Sequence, residues 1–408
     1  MKSRRETARI FSRVDEAMKE PPSIKHINSL PLFGGVCKPA LPNLPKNAII
    51  GHGNSGFNSF HERQAKKQGE ITMEYTTLGK TGLRVSRMGF GGIPIQKVDA
   101  SVTRKLMERL AERGVNYIDT ARGYTVSESF LGEALEGGLR EKFVLATKSM
   151  SRTKEAMAQD IETSLHNLRT DYIDLYQIHN PSLAELEQVT APGGALEALL
   201  EAKAAGRIGH IGVTAHMASV FEKALTMDWV ETVMFPYNIV ETQGEALMQR
   251  CREQNVGFIC MKPMAGGALE DARLALRFIR QNENVSVVIP GMYDVREIDQ
   301  NLEAMEDVSP LTEAEKAKLD AIRKELGTQF CRRCNYCQPC TAGISISGIF
   351  VLEGYLNRYG LGDWARQRYA AMGQKAGDCV GCGACEKRCP YQLPIRQMLA
   401  RCKTEFGA

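Results

Sequence analysis

The sequence predicts an α/β fold: a (β/α)₈ TIM barrel followed by a small, mainly helical domain. Two observations lead to this prediction. From residue 73 onward, short apolar runs alternate with amphipathic helical stretches, which is the pattern of repeated βα units. That pattern ends near residue 327, and nine of the chain's twelve cysteines lie after residue 330. We therefore expect a barrel over residues 73–327 and a second domain over residues 328–408.

The first 72 residues show neither helical nor alternating apolar periodicity, and prolines interrupt them repeatedly. We interpret this segment as a disordered tail. A second interpretation is that it is not translated, because residues 66–70 (KKQGE) would be encoded by a purine-rich stretch resembling a ribosome-binding site just before Met73. The two interpretations stay open here.

Eight apolar runs can be counted after residue 73, and a helix-like stretch such as residues 153–168 or 274–281 follows each. The runs cover residues 86–89, 116–121, 142–148, 172–179, 210–216, 232–238, 257–263 and 285–291. Eight parallel strands separated by helices indicate a closed barrel rather than an open doubly wound sheet. No G-x-G-x-x-G fingerprint opens any of these units. A final helix over residues 313–326 is expected to complete the barrel.

The composition excludes several classes of function. Hydrophobic residues make up 43% and charged residues 25% of the chain, as in globular proteins with a core. The net charge of +4 gives no broad basic field for nucleic acid. No apolar run approaches the roughly 18 residues of a membrane span, and the N-terminus lacks the apolar segment of an export signal. We expect a cytoplasmic protein without a membrane span that binds no nucleic acid.

Polar residues at the ends of the predicted strands indicate an active site, since such barrels place it at the C-terminal ends of their strands. These residues are Asp119, Tyr124, Lys148 and His179. A lysine beside a tyrosine favours the phenolate, so we expect Tyr124 to exchange a proton near neutral pH. Singly, each residue has a structural explanation, such as a helix cap or a buried polar group. Together, at adjacent strand ends, they favour acid–base chemistry on a carbonyl, with His179 orienting its oxygen.

Four segments carry a resemblance to a known family. They are residues 77–83 (TLGKTGL), 117–124 (YIDTARGY) with Glu128, 146–148 (ATK) and 174–179 (DLYQIH). On these segments, residues 73–326 resemble the aldo-keto reductase family. The resemblance implies that the catalytic tetrad of the family falls on Tyr124, Lys148, Asp119 and His179. It also implies hydride transfer between a nicotinamide cofactor and a small-molecule carbonyl or alcohol.

The resemblance is weaker in the part of the sequence that would hold the cofactor. Where the family commonly holds the carboxamide with Ser, Asn and Gln, this chain has Thr214, Ala215 and Met234, and Met261 replaces the tyrosine that stacks on the nicotinamide. The cofactor-binding residues that the resemblance implies are Thr214, Asn238, Met261, Gly291, Arg296, Glu297 and Asn301.

The choice between NAD(H) and NADP(H) depends on the segment after the eighth run. There the basic pair that grips a 2′-phosphate in the family aligns with Gly291 and Glu297, although Arg296 is adjacent. A carboxylate in this place disfavours a phosphate and suits a free ribose hydroxyl. We therefore expect NAD(H) rather than NADP(H).

Eight cysteines near the C-terminus form two regularly spaced groups. The groups are Cys331, Cys334, Cys337 and Cys340, then Cys379, Cys382, Cys385 and Cys389. The second, followed by Pro390, has the C-x₂-C-x₂-C-x₃-C-P spacing of bacterial ferredoxins, whose fourth cysteine ligates the other cluster. We therefore predict two [4Fe–4S] clusters. One is held by Cys331, Cys334, Cys337 and Cys389, and the other by Cys379, Cys382, Cys385 and Cys340.

Zinc is the alternative for these cysteines, but zinc sites usually pair two C-x₂₋₄-C knuckles rather than three cysteines in one tight run. Disulfides are disfavoured because nothing directs the chain to an oxidising compartment. Residues 344–369 between the groups have a helical pattern. The domain thus resembles the helical two-cluster ferredoxins found in larger redox enzymes, and the chain resembles the branch of aldo-keto reductase-like proteins that end in one.

The favoured function is an iron–sulfur oxidoreductase that interconverts a carbonyl and an alcohol and is coupled to electron transfer through both clusters. A nicotinamide moves two electrons together and each cluster moves one, so a converter is needed between them. A bound flavin and an external ferredoxin or other redox protein both stay open. The alternative function is a nucleotide-binding docking or electron-transfer subunit of a larger redox complex, without carbonyl turnover.

Overall fold

The computed structural model describes residues 73–327 and 329–407. The predicted tail, residues 1–72, lies outside the described residues. The strands are β1 Tyr75–Thr77, β2 Arg84–Ser86, β3 Phe90–Gly91, β4 Tyr117–Asp119, β5 Val144–Ser149, β6 Ile173–Ile178, β7 Ile208–Thr214, β8 Thr232–Pro236, β9 Gly257–Met261 and β10 Val287–Val288. The helices are α1 Ala100–Glu112, α2 Ser127–Ala134, α3 Lys154–Asn167, α4 Leu183–Thr190, α5 Ala195–Ala204, α6 Ala218–Ala224, α7 Glu245–Glu253, α8 Ala272–Arg280, α9 Val295–Glu306, α10 Glu313–Gly327, α11 Ile346–Asn357, α12 Gly362–Ala370, α13 Ala384–Arg388 and α14 Ile395–Phe406.

Strands β3 to β10 form one parallel sheet in which neighbours along the chain are neighbours in the sheet. Parallel bridges from Met88 to Val288 and from Gly91 to Gly291 join its two ends. The sheet is therefore closed, and helices lie between successive strands. The predicted (β/α)₈ barrel is confirmed.

The start of the barrel differs from the prediction. The first apolar run was placed at residues 86–89, whereas β3 covers Phe90–Gly91 and Ser86 belongs to an antiparallel hairpin formed by β1 and β2. Strands of three residues are too short to show an alternating pattern, so the sequence gives no signal for this hairpin. A side chain at Gly91 would place its Cβ 2.9 Å from the Ile289 carbonyl oxygen, so glycine is needed where the barrel closes.

Alternation along β6 shows how the strands divide their side chains between two cores. Leu175 packs inside the barrel with Tyr117 and Ile259, whereas Tyr176 and Ile178 pack in the layer between the strands and the helices. The two-residue period of a strand produces this division. It also turns polar side chains of the last strand residues toward the mouth of the barrel.

The cysteine-rich part contains α11 to α14 around a separate core that includes Ile349, Tyr369 and Leu399. Its helical content was predicted, but the single stretch over residues 344–369 is wrong. The stretch is divided into α11 and α12, and Gly360 between them has a φ of +63°. A left-handed residue cannot continue a right-handed helix, which explains the break.

Among the described residues, no helix is long and apolar enough to cross a membrane.

Candidate active site at the barrel mouth

The four residues of the predicted tetrad come from neighbouring strands. Asp119 is the last residue of β4, and Tyr124 lies in the loop that follows it. Lys148 is near the end of β5, and His179 directly follows β6. Because β4, β5 and β6 are adjacent in the parallel sheet, their C-terminal ends bring these side chains to one point.

Lys148 and Asp119 form a buried ion pair below the cavity. The Lys148 ammonium donates to the Asp119 carboxylate and, at 2.7 Å, to the Thr120 carbonyl oxygen. Gln177 donates to the other Asp119 oxygen at 3.1 Å. Both charged side chains have little accessible surface, at 2% for each residue. Burial raises the pKa of Asp119 and lowers that of Lys148, and the pairing opposes both shifts.

Tyr124 and His179 lie above this pair. The Lys148 ammonium is 4.8 Å from the centre of the Tyr124 ring, and the Tyr124 and His179 rings meet edge to face with centres 6.1 Å apart. Burial, then the positive charges of Lys148 and Arg152, hold the pKa of His179 well below 6.5. His179 is therefore a neutral imidazole at pH 7, able to donate from one ring nitrogen and accept at the other.

The expected shift of the Tyr124 pKa has the opposite direction in the structure. Burial, followed by the negative charge of Asp119, raises the pKa of the phenol well above 10. The sequence argument treated Lys148 as a free positive charge, but the buried carboxylate of Asp119 neutralises it. The phenol is therefore protonated at neutral pH, which is the form that donates a proton.

The tetrad opens into a cavity of about 760 Å³ that the cysteine-rich part covers like a roof. Tyr355, Tyr359, Trp364 and Arg368, from α11, α12 and the turn between them, line it opposite the tetrad. The Tyr355 ring lies 4.9 Å from Tyr359 and 4.7 Å from Trp364, centre to centre. We call the segment from residue 346 to residue 370 the roof. A ligand in the cavity would contact both the barrel and the roof.

Several arginines hold the cysteine-rich part on the barrel. Arg332 donates to the Val240 carbonyl oxygen at 2.8 Å, and Arg358 donates to that of Gly266 at 3.1 Å. Arg368 reaches the Gly123 carbonyl oxygen at 3.3 Å, next to Tyr124 in the chain. These bonds place the roof directly over the strand ends.

Five of the seven predicted cofactor residues line this cavity: Thr214, Met261, Gly291, Glu297 and Asn301. The other two, Asn238 and Arg296, do not line it. Asn238 is fully buried, and its amide bonds Glu241, the Lys262 carbonyl oxygen and the Val240 N–H, so none of it faces the cavity. The Arg296 side chain is 84% exposed and pairs with Asp294 outside the cavity.

Glu297 lines the cavity and also caps a helix. Its carboxylate accepts the backbone N–H groups of Tyr293 and Asp294 at 2.8 and 3.2 Å, which caps the N-terminus of α9. Gly291 opposite has no room for a side chain, because a Cβ would lie 2.6 Å from Pro94. The cavity therefore carries a carboxylate and no cation at the two positions where the resemblance placed a basic pair.

Two residues at strand ends line the cavity but were not predicted as site residues from the sequence. Lys262 follows β9, and His216 lies shortly after β7; both line the cavity. Burial, then Arg333, lowers the pKa of Lys262 to about 7. Both residues fall within predicted apolar runs, so the rule used for the tetrad could have found them. The roof residues carry no comparable signal, since only the folded contact between the two parts brings them to the site.

The eight predicted cluster ligands line two small cavities in the cysteine-rich part. One is lined by Cys331, Cys334, Cys337 and Cys389. The other is lined by Cys340, Cys379, Cys382 and Cys385. These are the same two sets of four that the crossed spacing predicts, and each set is drawn from both groups. Four cysteines lining one cavity match the number of ligands that a [4Fe–4S] cluster takes.

The two cysteine sets lie at different depths. Ile346 lines both cavities and so separates them. Asn335 and Ser347, which are hydrogen-bonded to each other, line the Cys331 cavity and also the large cavity at the barrel mouth. In the other set Cys382 is exposed, and the nearby Val380 is 68% exposed. The Cys331 set is therefore near the tetrad cavity, and the Cys382 set is near the surface.

Comparisons with known proteins agree with both parts of the chain. The aldo/keto reductase family matches residues 87–274, and the 4Fe-4S dicluster domain matches residues 330–394. L-galactose dehydrogenase of Arabidopsis thaliana is 26% identical over 293 residues, covering 59% of this chain and 90% of that protein. The uncharacterized oxidoreductase YqkF of Bacillus subtilis (strain 168) is 26% identical over 254 residues, covering 58% and 79%. The solved holo form of an aldo-keto reductase from Bacillus halodurans has a TM-score of 0.54 at 26% identity, covering 62% of this chain and 96% of that structure.

Proposed function

This chain is an aldo/keto reductase-like oxidoreductase with a C-terminal 4Fe-4S dicluster domain, and we propose that it interconverts a small-molecule carbonyl and an alcohol at Tyr124. The reaction uses a nicotinamide cofactor and is coupled to electron transfer through two [4Fe–4S] clusters. The observation that carries the proposal is the convergence of Tyr124, His179 and the Lys148–Asp119 pair in a cavity that the cysteine-rich part covers.

Tyr124 is the proton donor in this proposal. Its raised pKa keeps the phenol protonated at neutral pH, so it can deliver a proton to a carbonyl oxygen. The Lys148 ammonium lies 4.8 Å from the centre of the phenol ring, and Asp119 balances its charge. His179 is neutral and donates a hydrogen bond that orients the carbonyl oxygen. The bound nicotinamide supplies the hydride.

The cofactor assignment rests on the wall of the cavity. Thr214, Met261, Gly291, Glu297 and Asn301 all line the cavity that holds the tetrad. We propose NAD(H) rather than NADP(H), because Glu297 places a carboxylate where a 2′-phosphate would need a cation. The apolar Met234 and Met261 also suit a flat ring such as that of a flavin. A flavin in the same cavity is therefore an open alternative for the group that converts two-electron transfer into one-electron transfer.

The two cysteine sets provide the coupling. When bound, [4Fe–4S] clusters supply one-electron transfer. Cys382 reaches the surface, where a ferredoxin or another redox protein could dock. The Cys331 set is separated from the tetrad cavity by Asn335 and Ser347. This order from surface to cavity is what an electron path to the barrel requires. Thiolate ligands also need a reducing compartment, which supports a cytoplasmic location.

A second candidate function is a docking or electron-transfer subunit that binds nucleotide without carbonyl turnover. The observation that favours it is the apolar lining at Met234 and Met261, where the family usually places groups that hold and stack the nicotinamide. In this case the buried Lys148–Asp119 pair would have a structural role only.

The experiment that separates the two candidates is an NADH and NADPH oxidation assay with anaerobically purified protein over a panel of aldehydes, ketones and quinones. Turnover of a carbonyl that is lost in Tyr124→Phe supports the proposed reaction. Nucleotide binding without turnover of any carbonyl, together with cluster-dependent reduction of an artificial acceptor, supports the docking subunit.

A further inference from the structure

The charges around the tetrad cavity do not balance. Among the described residues, the cations that line it are Lys97, Lys148, Lys262, Arg333, Arg358 and Arg368. The carboxylates that line it are Asp119, Glu185 and Glu297. Each carboxylate already has donors: Asp119 has Lys148, Glu185 has Arg152 and the Ser182 N–H, and Glu297 has the N–H groups of Tyr293 and Asp294. The lining of the cavity therefore carries more positive than negative charge.

Three of these cations, Lys97, Lys262 and Arg368, have no carboxylate within salt-bridge distance in residues 73–327 and 329–407. Lys97 lies 5.0 Å from the Tyr293 ring, on the part of the wall that carries Glu297. Arg333 pairs with Glu241, and Arg358 pairs with Glu353. In contrast, the Lys262 ammonium has no hydrogen-bond or salt-bridge partner among the described residues: the Tyr355 ring lies 5.8 Å away, and the Glu241 carboxylate, already paired with Arg333, acts on it only at longer range. Arg368 stacks on Trp364 at 4.1 Å and reaches one backbone carbonyl. Both keep donors available for a ligand.

Lys262 and Arg368 face the reacting end of the cavity. Lys262 comes from the barrel after β9, and Arg368 comes from the roof helix α12. Arg368 donates to the Gly123 carbonyl oxygen beside Tyr124, and Lys262 lines the same cavity as His179, whose imidazole is subject to both positive charges. An anion between them would therefore belong to the molecule whose carbonyl meets Tyr124.

We propose that Lys262 and Arg368 bind an anionic group of the substrate, a carboxylate or a phosphate, between the tetrad and the roof. That the anion belongs to a substrate rests on the proposed function, whereas the presence of an anion site does not. The site takes one cation from each part of the chain, so an anionic substrate joins the roof to the barrel when it binds. Phosphate and carboxylate both match the geometry of a guanidinium and the charge of an ammonium.

The test is direct binding of a matched probe pair to the full chain with its clusters, measured anaerobically by calorimetry. Oxamate carries a carboxylate, and oxamide is its neutral counterpart; neither needs to react. We expect oxamate to bind at least about tenfold more tightly than oxamide, since charge-assisted hydrogen bonds are the strong ones. Lys262→Met and Arg368→Gln should each remove most of this preference, whereas Lys262→Arg should retain it.

Arg366→Gln is the matched control, because Arg366 lies on the same helix, is exposed and donates to the Glu405 carbonyl oxygen away from the cavity. Iron content verifies that each variant is folded, and Arg368 at the exposed rim can change without disturbing a core. Equal binding of oxamate and oxamide by the unaltered protein would overturn the proposal.

A parallel titration with NADH identifies the source of the anion. Unchanged NADH affinity in Lys262→Met and Arg368→Gln assigns the site to the substrate. A loss of NADH affinity with an intact preference for oxamate would assign these cations to the cofactor diphosphate and overturn the proposal. If no carbonyl is turned over but the oxamate preference still depends on Lys262, the anion site stands and the proposed reaction fails.

Discussion

The guanidinium of Arg333 pairs with the carboxylate of Glu241 across the contact between the cysteine-rich part and the barrel. Arg333 stands between Cys331 and Cys334, and Glu241 lies in the loop after β8, with no accessible surface. A loop with two predicted cluster ligands is thus held on the barrel by this ion pair and by the bond from Arg332 to the Val240 carbonyl oxygen. The position of the roof is therefore expected to depend on this pair.

Glu241→Gln tests this dependence. The change keeps the shape of the side chain but leaves the Arg333 guanidinium, 11% exposed, without its charge partner. Breaking a buried pair typically costs about 3–5 kcal/mol, so we expect the roof to open locally. Hydrogen–deuterium exchange should become faster over α11 and α12 while the barrel strands keep their protection. Glu270→Gln, an exposed carboxylate after β9, is the control. Unchanged exchange in the roof would contradict the role of the pair.

Tyr124→Phe should lower carbonyl turnover by about 10²–10⁴-fold, which is the usual contribution of general acid catalysis. The ring and its contact with His179 remain, so cofactor affinity should change little. Lys148→Met should be similarly damaging, and the double variant little worse than either single one, because groups that act together give non-additive losses. Steady-state kinetics and nucleotide titration measure both effects.

Electron transfer provides the control for these variants. Reduction of an artificial acceptor through the cysteine-rich part should survive Tyr124→Phe and Lys148→Met, since neither residue contacts a cysteine cavity. Full carbonyl activity in Tyr124→Phe would show that the phenol is not the proton donor and would favour the docking subunit.

The barrel could be predicted because its strands are buried and therefore apolar along most of their length. The tetrad could be located because Asp119, Lys148 and His179 interrupt apolar runs at the ends of their strands. The protonation state of Tyr124 could not be predicted, because it depends on how completely Asp119 neutralises Lys148 in a buried pair. The sequence shows which residues are near each other along the chain. It does not show how far each ionisable side chain is removed from water, and the pKa depends on that.

The cofactor residues and the roof could not be predicted from the sequence for a different reason. Asn238 and Arg296 were assigned by alignment, which transfers a residue type but not the direction of its side chain. The roof is attached mainly by arginines that donate to backbone carbonyls, such as Arg332 to Val240. Backbone acceptors exist at every position, so no sequence pattern distinguishes the ones that are used.

The cysteine cavities predict a specific effect of single ligand changes. Anaerobically prepared protein should contain about eight iron and eight sulfide per chain. Cys389→Ser should damage the cluster held with Cys331, although Cys389 is a neighbour of Cys385 in sequence. Electron paramagnetic resonance of the reduced variants distinguishes the two clusters. Cys340→Ser should affect the cluster held with Cys379 and spare the other. Loss of the Cys379 cluster in Cys389→Ser would contradict the crossed ligation.

Cofactor choice should follow the charge at Glu297. A 2′-phosphate near this carboxylate would be repelled, so NADH should bind more tightly than NADPH in a fluorescence titration. Glu297→Gln keeps an acceptor for the Tyr293 and Asp294 N–H groups, so it removes charge with limited damage to the cap. The preference for NADH should narrow in this variant, whereas Arg296→Gln, outside the cavity, should leave it unchanged. A clear preference for NADPH in the unaltered protein would contradict the assignment.

The last prediction is a pH dependence of anion binding at Lys262. Burial and Arg333 lower the pKa of this ammonium to about 7, and the negative charge of Glu241 partly opposes the shift. The charged groups that face it are Lys148, Arg333, Arg358 and Glu241, together with the imidazoles of His179 and His216. Both imidazoles have pKa values held well below 6.5 by burial, so they stay neutral above pH 7 and do not contribute.

A bound anion favours the charged ammonium and therefore raises the pKa of Lys262. Below pH 7 the ammonium is already charged, so the affinity for oxamate should be constant there. Above pH 7 binding must take up a proton, and the affinity should fall by up to about tenfold per pH unit until the pH passes the raised pKa. Calorimetry in buffers of different ionisation enthalpy counts this proton directly. Lys262→Met should bind weakly with no slope above pH 7, and Arg366→Gln should keep the slope. An affinity of the unaltered protein that does not change between pH 7 and pH 9 would show that Lys262 does not hold the anion.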